Sequence, residues 1–408
     1  MKLCKWLFVT CACVLLAAPV WAETLTINSD RSAPPQKAML AQIAREFEQQ
    51  NAGVTVEINT LDLESYKTAI RNFLVTSPPD VAFWYTGQRM RAFTQRKLFD
   101  DISDIFQQEN LYGPMKPFVP AVSDGRKQYM LPTQYTAWGF FYNKELFAKA
   151  GVTPPKTWDE LMAVADKLKK SDVMPFTSGT RDLWANDLWF DYLDLRLNGL
   201  DFHMQLMDGK IQYTDPRVKA VFAQWQEPID KGYFLPNATS YGWQEAVPFI
   251  LQGKAAMYLL GNGVLSTTPA NQHDMLGFFP FPQVKANMPT YEEASLNGCF
   301  IPSGAKNKPL ARRFIAYMAR PDVIKRFAES AFALPPRVDV QPSSDRFVQA
   351  EMTLIAQSAG TSQFYDRDTD PDMAQIGMNG FQEFSVHPDR VDAVLQRLEA
   401  ARKRIFEK

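Results

Sequence analysis

Histidine and cysteine are scarce in this 408-residue chain. The three histidines, His203, His273 and His387, lie far apart in polar sequence. No H-x-x-x-H pair and no paired-cysteine spacing occurs, so zinc has no sequence support. Each histidine reads as a surface residue. Of four cysteines, Cys4, Cys11 and Cys13 sit at the N-terminus and only Cys299 lies beyond them. One cysteine makes no internal disulfide, so stability rests on core burial. A G-x-S-x-G nucleophile elbow and a G-x-x-x-x-G-K-[ST] phosphate loop are both missing. The expectation is a non-enzyme with no catalytic residue, no metal and no cofactor.

An excess of one charge is missing too. Lys and Arg number 44 against 45 Asp and Glu, for a formal charge of −1. That balance offers no basic footprint for nucleic acid or an anionic membrane surface. Long apolar runs are confined to the first twenty residues, and no internal repeat or low-complexity linker follows. If there are two domains, short segments or strands join them.

What the chain does have begins with "MKLCKWLFVTCACVLLAAPVWAET". Lys2 and Lys5 precede an uncharged run from Trp6 to Ala18, then Pro19 and Val20-Trp21-Ala22. This is the layout of a secretory signal peptide, residues 1–22, with cleavage after Ala22. The run is too short to span a bilayer comfortably, which takes about 20 residues. Residues 23–408 are long enough for two domains.

Strand and helix signals then alternate. "ETLTIN" and "VTVEIN" alternate apolar and polar, and "PDVAFW" gives a third strand. Met39, Ile43 and Phe47, then Tyr66, Ile70 and Phe73, recur at helical spacing between them. Strand–helix–strand–helix–strand implies a largely parallel α/β sheet, whose ligands bind beyond the carboxyl ends of the strands. Phe83, Trp84 and Tyr85 end the third strand just before Gly87. Such a cluster is either core or the wall of a cleft. Further on, Thr157 and Glu160 form a capping-box pattern ahead of a helix whose buried face is Leu161, Val164, Ala165 and Leu168. In "DRDTDPD", Asp366, Asp368, Asp370 and Asp372 alternate as in a calcium loop, but Pro371 and Gly377 occupy the positions of the required Gly and Glu. The run reads as a loop that caps turns or touches a polar ligand.

Taken in order, "GFFYNKELFAKAGVTPPKTWDEL" (139–161), "FILQGKAAMYLLG" (249–261) and "NGCFIPSGAKNKPLARRFIAYM" (297–318), with "PDVAFW" and "FYDRDTDPDM", resemble the extracellular solute-binding proteins of carbohydrate ABC importers, the maltodextrin-binding type. The resemblance covers essentially the whole chain after residue 22. It implies a two-lobed periplasmic binding protein fold of type II, each lobe a mostly parallel sheet flanked by helices. The implied lobes are 23–134 plus 298–336, and 135–297 plus 337–408. The implied crossings lie near 132–135, 295–298 and 334–337. The implied product is a monomer in the periplasm that binds a sugar or oligosaccharide and delivers it to membrane permease subunits.

Carried over residue by residue, the resemblance implies a ligand site of Asp30, Arg31, Trp84, Tyr85, Tyr135, Trp184, Asn186, Trp243, Asn262, Tyr365 and Arg367. Gly87 stands where some members have an acidic sugar ligand. Gly261-Asn262-Gly263 replaces a G-x-W of the family, so one ring wall is missing there. The chemistry is consistent, since rings hold the C–H faces of a pyranose and polar side chains hold its hydroxyl rim. Two other classes stay open: a receptor for a cationic ligand such as a polyamine, read by rings and carboxylates, and a secreted carbohydrate-active enzyme.

Overall fold

The computed structural model describes residues 23–407. The proposed signal peptide, with Cys4, Cys11 and Cys13, lies outside the described residues. The alternating N-terminal segments form the strands Glu23–Ser29, Val54–Thr60 and Val81–Tyr85. The first pairs in parallel with both others, Ile27 lying opposite Ile58 on one side and Val81 on the other. Every residue of Val81–Tyr85 is buried, as a strand covered on both faces requires.

The strand Glu292–Phe300 returns from far along the chain. It pairs antiparallel with Val81–Tyr85 and with Leu131–Ala137, and parallel with Thr361–Ser362. These six strands make the first sheet. The second has four, in the order Leu276–Phe279, Gly139–Asn143, Ala255–Leu260, Met174–Phe176. Only its last pairing is parallel, which corrects the expectation of a mostly parallel sheet in that half. The reason is direction: Gly139–Asn143 runs opposite to both neighbours.

Two apolar cores result. One gathers Leu25, Ile43, Phe83, Phe300 and Phe327 around the first sheet. The other gathers Phe140, Trp189, Tyr258, Phe281 and Phe381 around the second. The helix Trp158–Lys170 starts at the expected capping box: Thr157 Oγ1 accepts from Glu160 N–H at 3.3 Å, and Glu160 Oε2 accepts from Thr157 N–H at 3.3 Å. The helix Asp187–Leu197 is unusual in being buried from Asp187 to Arg196. Its Arg196 pairs with Glu292 at 2.7 Å, both fully enclosed. Among the described residues no helix is long and apolar enough to cross a membrane.

Candidate ligand cleft

A cavity of about 160 Å³ opens where strand ends from both sheets meet. Each strand delivers side chains to it by the period of two. In Leu131–Ala137 the even positions Gln134 and Thr136 face the cavity, and Trp138 continues the series just past the strand. Tyr135, between them, points the other way and packs on Phe118 at 4.8 Å. Burial pushes its hydroxyl up to about 12. Ser295 and Asn297 of Glu292–Phe300 face the cavity by the same rule.

The alternation also answers for the aromatic strand. Tyr85 lines the cavity. Trp84 packs inside the first core against Tyr66, Tyr85 and Phe93, with ring centroids 4.8–6.2 Å away. Its indole N–H donates to the Arg89 carbonyl at 3.3 Å.

Seven of the eleven anticipated residues line this one cavity: Asp30, Arg31, Tyr85, Trp184, Trp243, Asn262 and Arg367. Four do not. Besides Trp84 and Tyr135, Asn186 donates to Gln382 Oε1 at 2.5 Å and borders a separate depression. Tyr365 is fully buried, its hydroxyl paired with that of Tyr213 and its ring edge-on to Phe190 and Phe381. The 365 position faces inward because its neighbours Phe364, Asp366 and Arg367 are the ones turned to the cavity.

The ring wall that Gly261-Asn262-Gly263 lacks in its own sequence comes from elsewhere. A Cβ on Gly261 would lie 2.9 Å from the Trp138 ring, and one on Gly263 would lie 3.1 Å from the Trp243 ring. The two glycines therefore make room for two indoles. Trp184 joins them, edge-on to Trp138 at 6.0 Å and to Trp243 at 6.4 Å. Phe364 meets Trp138 perpendicularly at 4.5 Å. Trp138 was missed because its segment reads as strand with nothing to mark which face meets a ligand.

The polar lining divides into neutralised charges and free hydrogen-bonding atoms. Arg31 Nε lies 3.3 Å from Asp30 Oδ1. Asp366 pairs with Arg89 at 3.0 Å. Burial works against the charged form of Asp366, but Arg89, Lys67 and Arg367 together bring it below the usual carboxylate range. Lys67 pairs with Glu64 at 3.1 Å and lies 5.9 Å from the centre of Tyr85 and 5.7 Å from that of Trp184. Burial opposes its charge too, yet Tyr85, Glu64 and Asp366 raise it overall. The Arg367 guanidinium lies 4.0 Å over Tyr85 and donates to Asn297 Oδ1 at 3.3 Å. Against these stand buried atoms with neither a hydrogen bond nor an ion pair among the described residues: Arg31 Nη2, Gln134 Oε1, Asn262 Oδ1 and Ser266 Oγ. Buried polar atoms are ordinarily paired, so these four leave hydrogen-bonding capacity open to the cavity.

Of the acidic run, Asp366 reaches the cavity, Asp368 Oδ2 accepts from the Gln363 N–H at 2.7 Å, and Asp370 caps the helix Pro371–Val386. The surface reading of His203 is overturned: it is fully buried, facing Asp194 at 2.9 Å. His273 is half-buried and His387 exposed.

The model of the bacterial extracellular solute-binding proteins matches residues 31–325. The chain is 24% identical over 318 residues to an uncharacterised ABC transporter extracellular-binding protein of Pyrococcus horikoshii, covering 76% of this chain and 70% of that one. The solved bacterial solute receptor AcbH superposes with a TM-score of 0.90 at 27% identity, over 94% of this chain and 100% of that one. A chitin oligosaccharide binding protein superposes at 0.86 with 20% identity, over 95% and 100%, a likeness of fold alone. The architecture is the two-lobed α/β one of these receptors, and the chain belongs to the bacterial extracellular solute-binding proteins.

Proposed function

We propose that this protein is the receptor of an ABC importer for a neutral sugar, and that the cavity encloses one pyranose ring. The observation that carries this reading is the pairing of three tryptophans with four unpartnered polar atoms around one cavity. Indole faces match the C–H faces of a pyranose, and the unpaired atoms match its hydroxyls. A cavity of about 150 Å³ admits benzene, so the 160 Å³ here is of single-ring scale. AcbH, the similar receptor, is described as having an exclusive preference for β-D-galactopyranose. Charge argues against a polyamine. Asp30 and Asp366 are each already paired with an arginine, and Lys67 and Arg367 would repel a cationic ligand.

In this reading Asp30, Arg31, Gln134, Asn262 and Arg367 bind hydroxyls, and Tyr85, Trp138, Trp184 and Trp243 enclose the ring. The lobes divide at 23–134 plus 298–336 and 135–297 plus 337–408, and closure about the crossings delivers the sugar to a permease. The protein acts as a periplasmic monomer, exported by residues 1–22 and cleaved after Ala22, without an enzymatic step.

A thermal-shift screen of residues 23–408 against hexoses, pentoses, oligosaccharides and polyamines tests the assignment. A ligand that binds only the folded state raises the melting temperature, by RT ln(1 + [L]/Kd) in free energy. A monosaccharide is expected to give the largest rise. A rise with putrescine or spermidine and none with any sugar would contradict the reading.

A further inference from the structure

Behind the cavity, the buried helix Asp187–Leu197 meets the helix Leu200–Met207 and the strand Glu292–Phe300. Asp191, His203 and Glu293 converge there. One ligand atom from each lies within 4.8 Å of the others, and all three residues are fully buried.

The division of their atoms singles the cluster out. Asp191 Oδ2 accepts from the Tyr365 backbone N–H at 2.8 Å. Glu293 Oε1 accepts from Ser362 Oγ at 3.3 Å. His203 Nδ1 meets Asp194 Oδ2 at 2.9 Å. The other atom of each, Asp191 Oδ1, Glu293 Oε2 and His203 Nε2, has no hydrogen-bond partner among the described residues. One atom of every side chain is thus held by the protein and the other is left free. With Nδ1–H donated to Asp194 Oδ2, Nε2 is the ring nitrogen left to offer a lone pair to a metal. A histidine oriented by a carboxylate on its far nitrogen is the usual outer-sphere support of a metal ligand.

We propose that Asp191, His203 and Glu293 hold a divalent metal ion of the zinc class, in a structural role. One imidazole and two carboxylates suit Zn²⁺ better than the all-oxygen shells of Ca²⁺. Ligand atoms up to 4.8 Å apart would draw together by roughly 1.5 Å to share one ion at zinc bond lengths of about 2 Å. The ion would fasten Ser362 and Tyr365 to the two helices, and so fix the segment that carries Phe364, Asp366 and Arg367 to the cavity. Because the ligands are shut off from solvent, the ion is taken up as the chain folds.

The test is to unfold the mature protein and refold it in Zn²⁺ or in EDTA, then desalt and measure metal by mass spectrometry. Refolding in Zn²⁺ is expected to leave one ion per chain and to raise the melting temperature by about 5 °C over the EDTA sample. His203→Gln and Glu293→Gln are each expected to weaken Zn²⁺ retention by about 100-fold. Should either variant fail to fold, wild-type protein refolded in Co²⁺ is expected to show d–d absorption bands of a low-coordinate nitrogen–oxygen site. Zinc-refolded wild type that carries no ion after desalting would overturn the proposal, leaving the three groups to share protons instead. Full retention by both variants, or cobalt-refolded protein without such bands, would overturn it equally. Sugar binding is read separately and does not enter this outcome.

Discussion

Trp84 and Trp138 have opposite fates that a pair of substitutions exposes. Trp84 is locked among Tyr66, Tyr85 and Phe93, so Trp84→Ala should cost about 3–5 kcal/mol of stability, as removal of a core aromatic does, and leave sugar affinity unchanged once the variant is folded. Trp138 is half-buried at the cavity. If it covers roughly 80 Å² of apolar surface with the sugar, at ~25 cal/mol per Å² that is about 2 kcal/mol. Trp138→Ala should then weaken binding on the order of 30-fold. Urea unfolding and sugar titration of both variants check this, and the reverse pattern would contradict it. The reason only part of the site was legible is visible here. Asp30 and Arg31 sit in a loop and Trp184 and Arg367 in single-turn helices, outside the long periodic elements where packing alone explains a polar or aromatic residue. Trp84, Tyr135, Gln134 and Thr136 sit in strands, where neighbours face opposite ways and nothing local says which face meets a cavity. His203 was misread for the converse reason. Polar flanking sequence suggested the surface, whereas its partner Asp194 lies one helix away.

At the scale of elements, the helices Pro34–Gln50 and Pro321–Glu329 are clasped by Glu46 and Arg326, with two bonds of 2.8 and 2.7 Å. The hydrogen bond from Arg326, aided by Gln42, lowers Glu46 from 4.5 to about 2. A carboxyl whose folded value is depressed adds stability that is complete above its unfolded value and is lost as pH falls through the folded one. The pair is partly exposed, so its worth is about 1 kcal/mol. Glu46→Gln should therefore be less stable than wild type by about that amount at pH 7, with the gap narrowing from pH 4.5 towards pH 2. Urea titrations at several pH values measure the gap. A gap that does not change with pH would exclude this clasp as its source. The start of the helix Trp158–Lys170, by contrast, was legible, because its capping box and its apolar spacing are local signals that agree.

For the whole molecule, the alternation of strands and helices was enough to foresee an α/β fold, because each period follows from local geometry. Long-range pairing was not. The strand Glu292–Phe300 joins Val81–Tyr85, Leu131–Ala137 and Thr361–Ser362 into one sheet, and no short window contains that information. The same strand brings Ser295 and Asn297 to the cavity and Glu293 to the buried cluster behind it. In the proposed function, the three tryptophans and the unpaired polar atoms around the cavity receive one pyranose. A crystal structure of the mature protein, grown with the sugar that most raises its melting temperature, tests this most directly. The sugar ring is predicted to lie against Trp138, Trp184 and Trp243 with hydroxyls on Asp30, Gln134 and Asn262. A sugar bound outside this cavity, for instance in the depression beside Trp84 and Arg96, would contradict the account.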